Sequence, residues 1–299
     1  MAQLDFSDYV VIVTGAGRGI GRAHAELLAD RGAAVVVNDT GGAVDGSLQG
    51  ADPAGEVVEA ITASGGRAVA STASVATEQG ARAIVETAIA SFGKLDAVVN
   101  NAGIYSVRSL HDITEAECRS FQDVHYFGSL FVSQAAWPHL AASKRGRIVN
   151  TISGAMLGVP DMVHYGAAKG AVFGLTRNLA VAGHADGIKV NAIAPGAGTR
   201  MVELATDALP PGMAAQMRES MPPRLVAPVA AYLAHERCTL SGEALSVAGG
   251  RVRRIAFGYT RGITDAELTP EIVADRLDEI LHVGEFTPEP LMLPREAVS

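Results

Sequence analysis

The stretch Thr14-Gly15-Ala16-Gly17-Arg18-Gly19-Ile20-Gly21 follows the β-branched run Tyr9–Val13 and precedes the Ala- and Leu-rich segment Ala23–Asp30. A strand, a glycine turn and a helix in direct succession is the reading that decides the fold. Glycine adopts positive φ without strain and lets backbone amides approach a ligand closely. The helix N-terminus behind it favours negative charge, and a pyrophosphate is such a group. The spacing is G-x-x-x-G-x-G; the pattern G-x-G-x-x-G is not met. A tight turn kept only for packing is the weaker reading of the loop taken alone.

Working outward, short apolar runs recur at Ala34–Asn38, Arg67–Ser71, Ala97–Asn100, Arg147–Thr151, Lys189–Ile193 and Ala244–Val247. They are continuous rather than alternating, as in strands covered on both faces. Longer stretches such as Gly80–Phe92 and Gly166–Gly183 lie between them and suit crossover helices. The order predicts an α/β chain: one Rossmann-type, doubly wound parallel sheet of about seven strands with helices on both faces. Residues 1–250 are expected to form this domain. Two stretches exceed the plan. Thr40–Glu56 is Gly- and Asp-rich and long for a strand-to-helix connection, a length that usually marks function or mobility. The tail, Arg251–Ser299, carries Thr269-Pro270-Glu271 as N-cap, first helical position and dipole-matched acid. Ile272, Val273, Leu277, Ile280 and Leu281 then share one helical face. A C-terminal helical extension over 251–299, packed on the same domain or on a partner subunit, is expected.

Composition narrows the function. With 299 residues, 48% of them hydrophobic, the chain can bury a large single core. A net charge of −8 argues against a nucleic-acid partner, which needs a basic face. No apolar stretch reaches the roughly 18 residues of a membrane span, and the N-terminus runs straight into a strand, without a secretory pattern. Cys118 and Cys238 stand far apart in no metal-like spacing, so two reduced thiols, a cytoplasmic location and no metal site are expected.

Candidate ligand groups follow the same strand ends. Asp39 closes the second strand, where a carboxylate meets an adenosine ribose, accepts from its 2′- and 3′-hydroxyls and repels a 2′-phosphate. That favours NAD and makes NADP less expected, although Arg18 in the glycine loop pulls the other way. Asn101-Ala102-Gly103 ends the fourth strand with small residues that permit close approach. Tyr165 and Lys169 are spaced by four and so share a helical face. An ammonium about 5 Å from a phenol, at an effective dielectric of about 20, contributes roughly 3 kcal/mol, or about two pKa units. Tyr165 would then be depressed from about 10 towards the range of a useful base. Ser153, ending the preceding strand, can donate to the same substrate oxygen.

TGAGRGIG, NNAG, the Ser153/Tyr165/Lys169 set and Pro195-Gly196 together resemble the short-chain dehydrogenase/reductase family, in order and spacing, across about residues 5–250. Asn38-Asp39-Thr-Gly-Gly with its long loop, Val124-His125 before Gly128, Ala194–Met201 and the tail helix resemble one branch of it. That branch is the (3R)-hydroxyacyl-CoA dehydrogenase unit of peroxisomal multifunctional enzymes. The resemblance implies dinucleotide contacts from Gly15, Arg18, Gly19, Ile20, Gly21, Asp39, Ser74, Val75, Asn101, Ala102, Gly103, Tyr165, Lys169, Pro195, Gly196 and Thr199, with Thr199 near the nicotinamide carboxamide. It also implies a lid over about 201–223, a homodimer or homotetramer, and a 3-hydroxyacyl-CoA or a steroid-type alcohol as substrate.

Three departures qualify the match. His125 stands where most of the family has an Asn in a water-linked proton relay, Ser74 where an adenine-contacting Asp is usual, and Ser153 precedes Tyr165 by twelve positions, one fewer than usual. The competing readings are an NADPH-dependent 3-oxoacyl-thioester reductase and a non-enzymatic dinucleotide sensor.

Overall fold

Alternate side chains of each central strand enter different cores, which is why the strands read as unbroken apolar runs. In a computed structural model describing residues 3–47, 51–199, 201 and 212–293, β1 (Val10–Thr14) and β2 (Ala34–Asn38) are buried throughout. Val11, Val13, Val35 and Val37 pack into the core on one face. Val10, Ile12, Ala34 and Val36 pack into the core on the other. Each of these valine and isoleucine side chains contributes about 1.5–3 kcal/mol on burial.

The remaining strands are β3 (Arg67–Ser71), β4 (Ala97–Asn100), β5 (Arg147–Thr151), β6 (Lys189–Gly196), β7 (Ala244–Ala248) and β8 (Arg251–Ile255), in the order β3-β2-β1-β4-β5-β6-β7-β8. Strands β1 to β7 run parallel. The order reverses direction between β1 and β4, and the crevice outside the carboxyl ends of such strands is where α/β sheets bind ligands. The main helices are α1 (Gly19–Asp30), α2 (Pro53–Ala63), α3 (Glu78–Phe92), α4 (Glu115–Gln122), α5 (Gly128–Ser143) and α6 (Val163–Ala182). None of the described helices is long and apolar enough to cross a membrane.

The fold class is as expected, with corrections in detail. The first strand begins at Val10 because the Tyr9 ring is taken up by Phe6, His235 and the Arg145 guanidinium. The sixth continues to Gly196 because β7 pairs with it through Ala248. An eighth strand, β8, turns back antiparallel on β7 after the tight turn at Gly249-Gly250. The tail therefore begins as sheet. Its helix has the expected cap, Thr269 Oγ1 accepting from Ile272 N at 3.3 Å. It then breaks at Arg276 (φ −109°, ψ 20°) into Pro270–Asp275 and Leu277–Leu281. Val273, Leu277 and Leu281 are exposed within this chain. Flanking the two helices, β9 (Gly258–Tyr259) pairs with β10 (Thr287–Pro288), and Arg177 on α6 donates to the carbonyls of Glu289 and Pro290.

The long connection after β2 is shorter than Thr40–Glu56. Pro53 opens α2, and Asp52 caps it by accepting from Gly55 N at 2.9 Å. Of the expected lid over about 201–223, residues 202–211 lie outside the described residues. The described remainder includes Met201, a helix α7 (Met213–Ser220) and a short 3-10 turn. A further helix α8 (Ala227–Ala234) packs on α1.

Candidate active site

The backbone builds one end of the site. Gly15 stands at φ +61°, and a Cβ there would lie 2.7 Å from Ala102 Cα. A Cβ on Gly21 would lie 2.1 Å from the Gly15 carbonyl oxygen. Both positions admit only glycine, because the opposing atoms are backbone and cannot yield. Helix α1 has no side-chain cap and no acid in its first turn. Its first amides are thus open to an external anion. The side-chain amide of Asn101 donates to the carbonyls of Thr14 and Gly15, both at 3.0 Å. Asn101 therefore braces the loop as well as lining the cavity.

Asp39 has a structural task of its own. Its Oδ2 accepts from Gly17 N (3.0 Å) and its Oδ1 from Gly41 N (2.9 Å). Each carboxylate oxygen keeps a second lone pair. The group is thus locked in orientation and still able to accept from a sugar hydroxyl. Ser74 Oγ accepts from Ala76 N at 3.2 Å, a turn contact within its own loop. Thr199 Oγ1 accepts from Met201 N, and its Cγ2 lies 3.5 Å from where a Cβ on Gly19 would sit.

Side chains build the other end. β5 delivers Ser153 just past its last residue, and α6 presents Tyr165 and Lys169 one turn apart. Ser153 Oγ accepts from Ala155 N at 3.1 Å. Lys169 Nζ donates to the Thr151 carbonyl at 2.7 Å and lies 5.8 Å from the Tyr165 ring centre. The electrostatics differ from the sequence expectation. Burial pushes the Tyr165 phenol up to about 12, with Ser153 opposing it, and pushes Lys169 down to about 7. The same desolvation that raises the phenol penalises the ammonium that would otherwise lower it. At pH 7 the phenol thus keeps its proton, while the amine lies near the midpoint of its titration.

His125 is on a π-helical turn, Asp123–Phe127, between α4 and α5. Such turns widen the helix by one residue and occur often at functional sites. Its Nε2 donates to the Ile104 carbonyl at 2.9 Å, which leaves Nδ1 as an acceptor without a protein partner. Burial first, and Lys169 second, hold its pKa well below the ordinary 6.5, so the ring is neutral. Thr151 Oγ1, beside the Lys169 anchor, is likewise buried and unpartnered.

A single cavity of about 1150 Å³ joins the two ends. Every site residue expected from the sequence lines it: Gly15, Arg18, Gly19, Ile20, Gly21, Asp39, Ser74, Val75, Asn101, Ala102, Gly103, His125, Ser153, Tyr165, Lys169, Pro195, Gly196 and Thr199. The open helix terminus, the glycine cradle and the held carboxylate fit a dinucleotide. Sequence reasoning missed Tyr105, whose ring meets Tyr165 edge-on at 5.4 Å, and Phe121, which packs against His164 at 4.3 Å. It also missed the 2.9 Å hydrogen bond between Ser106 Oγ and His164 Nε2. None of these belongs to a spaced motif. Their signal was adjacency alone: Tyr105 and Ser106 to Gly103, His164 to Tyr165, and Phe121 four positions before His125.

Known proteins agree with this geometry. The family model for short chain dehydrogenases matches residues 9–208. A short-chain type dehydrogenase/reductase of Mycobacterium tuberculosis is 43% identical over 91% of this chain and 94% of its own length. Peroxisomal multifunctional enzyme type 2 of Mus musculus is 39% identical over 93% of this chain, which spans 37% of that longer protein. A solved 7α-hydroxysteroid dehydrogenase, in complex with NADH and 7-oxo glycochenodeoxycholic acid, superimposes with a TM-score of 0.72 at 32% identity, covering 83% of this chain and 95% of that one. The chain belongs to the short-chain dehydrogenase/reductase family and is an oxidoreductase acting on CH–OH groups with a nicotinamide dinucleotide.

Proposed function

We propose that the protein interconverts a bulky, apolar secondary alcohol and its ketone with NAD, the alcohol being a 3-hydroxyacyl thioester of CoA or a steroid-type ring system. The observation that carries this reading is one cavity with Asp39 at its far end and the Ser153/Tyr165/Lys169 set at the other. When bound, the dinucleotide supplies the hydride acceptor or donor.

In this reading Tyr165 Oη takes the hydroxyl proton in oxidation and returns it in reduction. Ser153 Oγ donates to the substrate oxygen and disperses its developing charge. Lys169 and Tyr165 titrate as a pair, since a phenolate in so buried a place is favoured when the lysine holds its proton. His125 Nδ1 and Thr151 Oγ1 are the unpartnered polar atoms through which Lys169 exchanges that proton with water. Thr199, beside the glycine loop, is assigned to the nicotinamide carboxamide on the family resemblance. Asp39 excludes a 2′-phosphate because a held carboxylate cannot turn away from it.

The substrate class rests on the apolar wall of Val44, Ile104, Tyr105, Val107, Met162 and Met201 and on the two kinds of relative. We assign dinucleotide and substrate binding to residues 1–250, with 201–223 as a lid and 251–299 as an extension. Homo-oligomeric assembly rests on the family resemblance, and a cytoplasmic site on the two free thiols. The deciding experiment compares initial rates with NAD and NADP against 3-hydroxyacyl-CoAs of graded length and a panel of steroid alcohols. NAD is expected to exceed NADP at least tenfold in kcat/KM. A preference for NADP sinks the reading of Asp39 and shifts weight to Arg18; no turnover of any alcohol sinks the enzymatic reading of the trio.

A further inference from the structure

The long loop behind β2 carries Val44 as well as Asp39 to the cavity. It is a built element rather than slack chain. Ala43 N donates to Ser47 O at 2.7 Å and Gly46 N to Ala43 O at 3.1 Å. Asp45 Oδ1 accepts from both the backbone N (2.9 Å) and the hydroxyl (2.8 Å) of Ser47. At its root the Asp39 carboxylate holds Gly41 N. At its far side Val44 O accepts from Tyr105 N at 2.9 Å, and Gly46 lies against Ile104. The loop therefore spans the cavity from the adenosine side to the proton-transfer side. The Val44 side chain ends up half-buried against the cluster of Ile104, Tyr105, Phe121 and Tyr165 and lines the cavity there.

We infer that Val44 is a specificity-determining residue, a wall of the substrate site that sets how bulky an alcohol can lie beside Tyr165. The inference rests on the proposed alcohol–ketone chemistry only for what the site is used for. Its physical basis is independent of that chemistry. The wall is fixed by main-chain hydrogen bonds on both sides, so a change at the side chain alters its volume without releasing the loop. The contact is apolar, so the effect depends on ligand size. One methylene in an apolar pocket discriminates by roughly tenfold or more.

The test uses the full-length protein with Val44→Ala and Val44→Phe. Two measurements are made over a series of apolar ligands of increasing width: kcat/KM for the alcohols, and calorimetric Kd for unreactive hydrocarbon analogues in the presence of NAD. Val44→Phe is expected to weaken the widest ligands by about tenfold or more while leaving the narrowest within about twofold. Val44→Ala is expected to shift the optimum towards wider ligands, and neither variant should move the Kd of NAD. A change equal across the series, or one confined to NAD affinity, overturns the inference. The hydrocarbon arm reads the wall whether or not any alcohol turns over. A failure of the proposed activity is thus distinguishable from a failure of Val44.

Discussion

The two ends of the cavity are made of different material. The glycine-loop end is backbone: a glycine turn, an uncapped helix terminus, carbonyls held by Asn101 and amides held by Asp39. The Tyr165 end is side chain: Tyr165, Lys169 and His125, all buried, with Tyr105 and Phe121 against them. Backbone amides cannot titrate and do not change with most substitutions. That end is therefore tolerant of sequence except where a Cβ has no room. The side-chain end is held at an electrostatic cost, with a lysine and a tyrosine both pushed towards their neutral forms. The glycine loop is thus constrained by the space its backbone leaves, whereas the Tyr165/Lys169 pair is constrained by desolvation.

The contrast can be broken at three places, in decreasing order of effect. Tyr165→Phe removes the phenolic oxygen and leaves the glycine end untouched. Turnover is expected to fall by about 10³-fold, the usual weight of a positioned acid–base group, while NAD affinity by fluorescence titration stays within about twofold.

Lys169→Met tests the cost at the same end. A lysine lowered to about 7 from its ordinary 10.5 resists protonation when folded. Between those values the unfolded chain binds the extra proton, so stability rises with pH across the window, and below about 7 the penalty is fully present. Allowing about 1 kcal/mol for the lost Thr151 hydrogen bond, the variant should gain on the order of 3 kcal/mol at pH 7 in the absence of dinucleotide. That gain should shrink towards pH 10.5. Urea unfolding at several pH values measures it, and a destabilised variant at pH 7 would show that the lysine is accommodated better than its burial implies.

Gly21→Ala tests the backbone end. The added carbon meets the Gly15 carbonyl and the Asn101 amide at 2.1 and 2.5 Å. Overpacking against backbone costs about 1–3 kcal/mol, and the loop must open to relieve it. NAD affinity should drop by about tenfold or more with a modest fall in Tm. Unchanged affinity would mean that the cradle is not where the pyrophosphate lies.

What could be read from the sequence follows the same division. Backbone-built features require particular residue types at fixed spacing. TGAGRGIG, Asp39 and NNAG therefore announced themselves, as did the strand ends that carry them. The trio was legible because Tyr165 and Lys169 are one helical turn apart. Tyr105, Phe121 and Val44 were not, since any apolar residue of the right size can fill a wall and only the folded chain brings residue 44 to residue 105. The direction of the Tyr165 shift was also missed, because desolvation depends on burial that no local spacing encodes. In the tail, the cap at Thr269 was read correctly. The break at Arg276 was not, because the apolar spacing is equally consistent with one helix or two.

The eighth strand has a consequence for how the molecule behaves in a crowded solution. A sheet must end somewhere, and an end strand offers unpaired amides and carbonyls to any extended chain. Here the order ends on β8, whose residues Arg251, Val252, Arg253 and Arg254 are exposed. Arg254 is neutralised by Glu243 at 2.7 Å. Even so, a second copy laid antiparallel along this edge would set guanidinium against guanidinium. The added strand thus ends the sheet in a form that resists edge-to-edge aggregation.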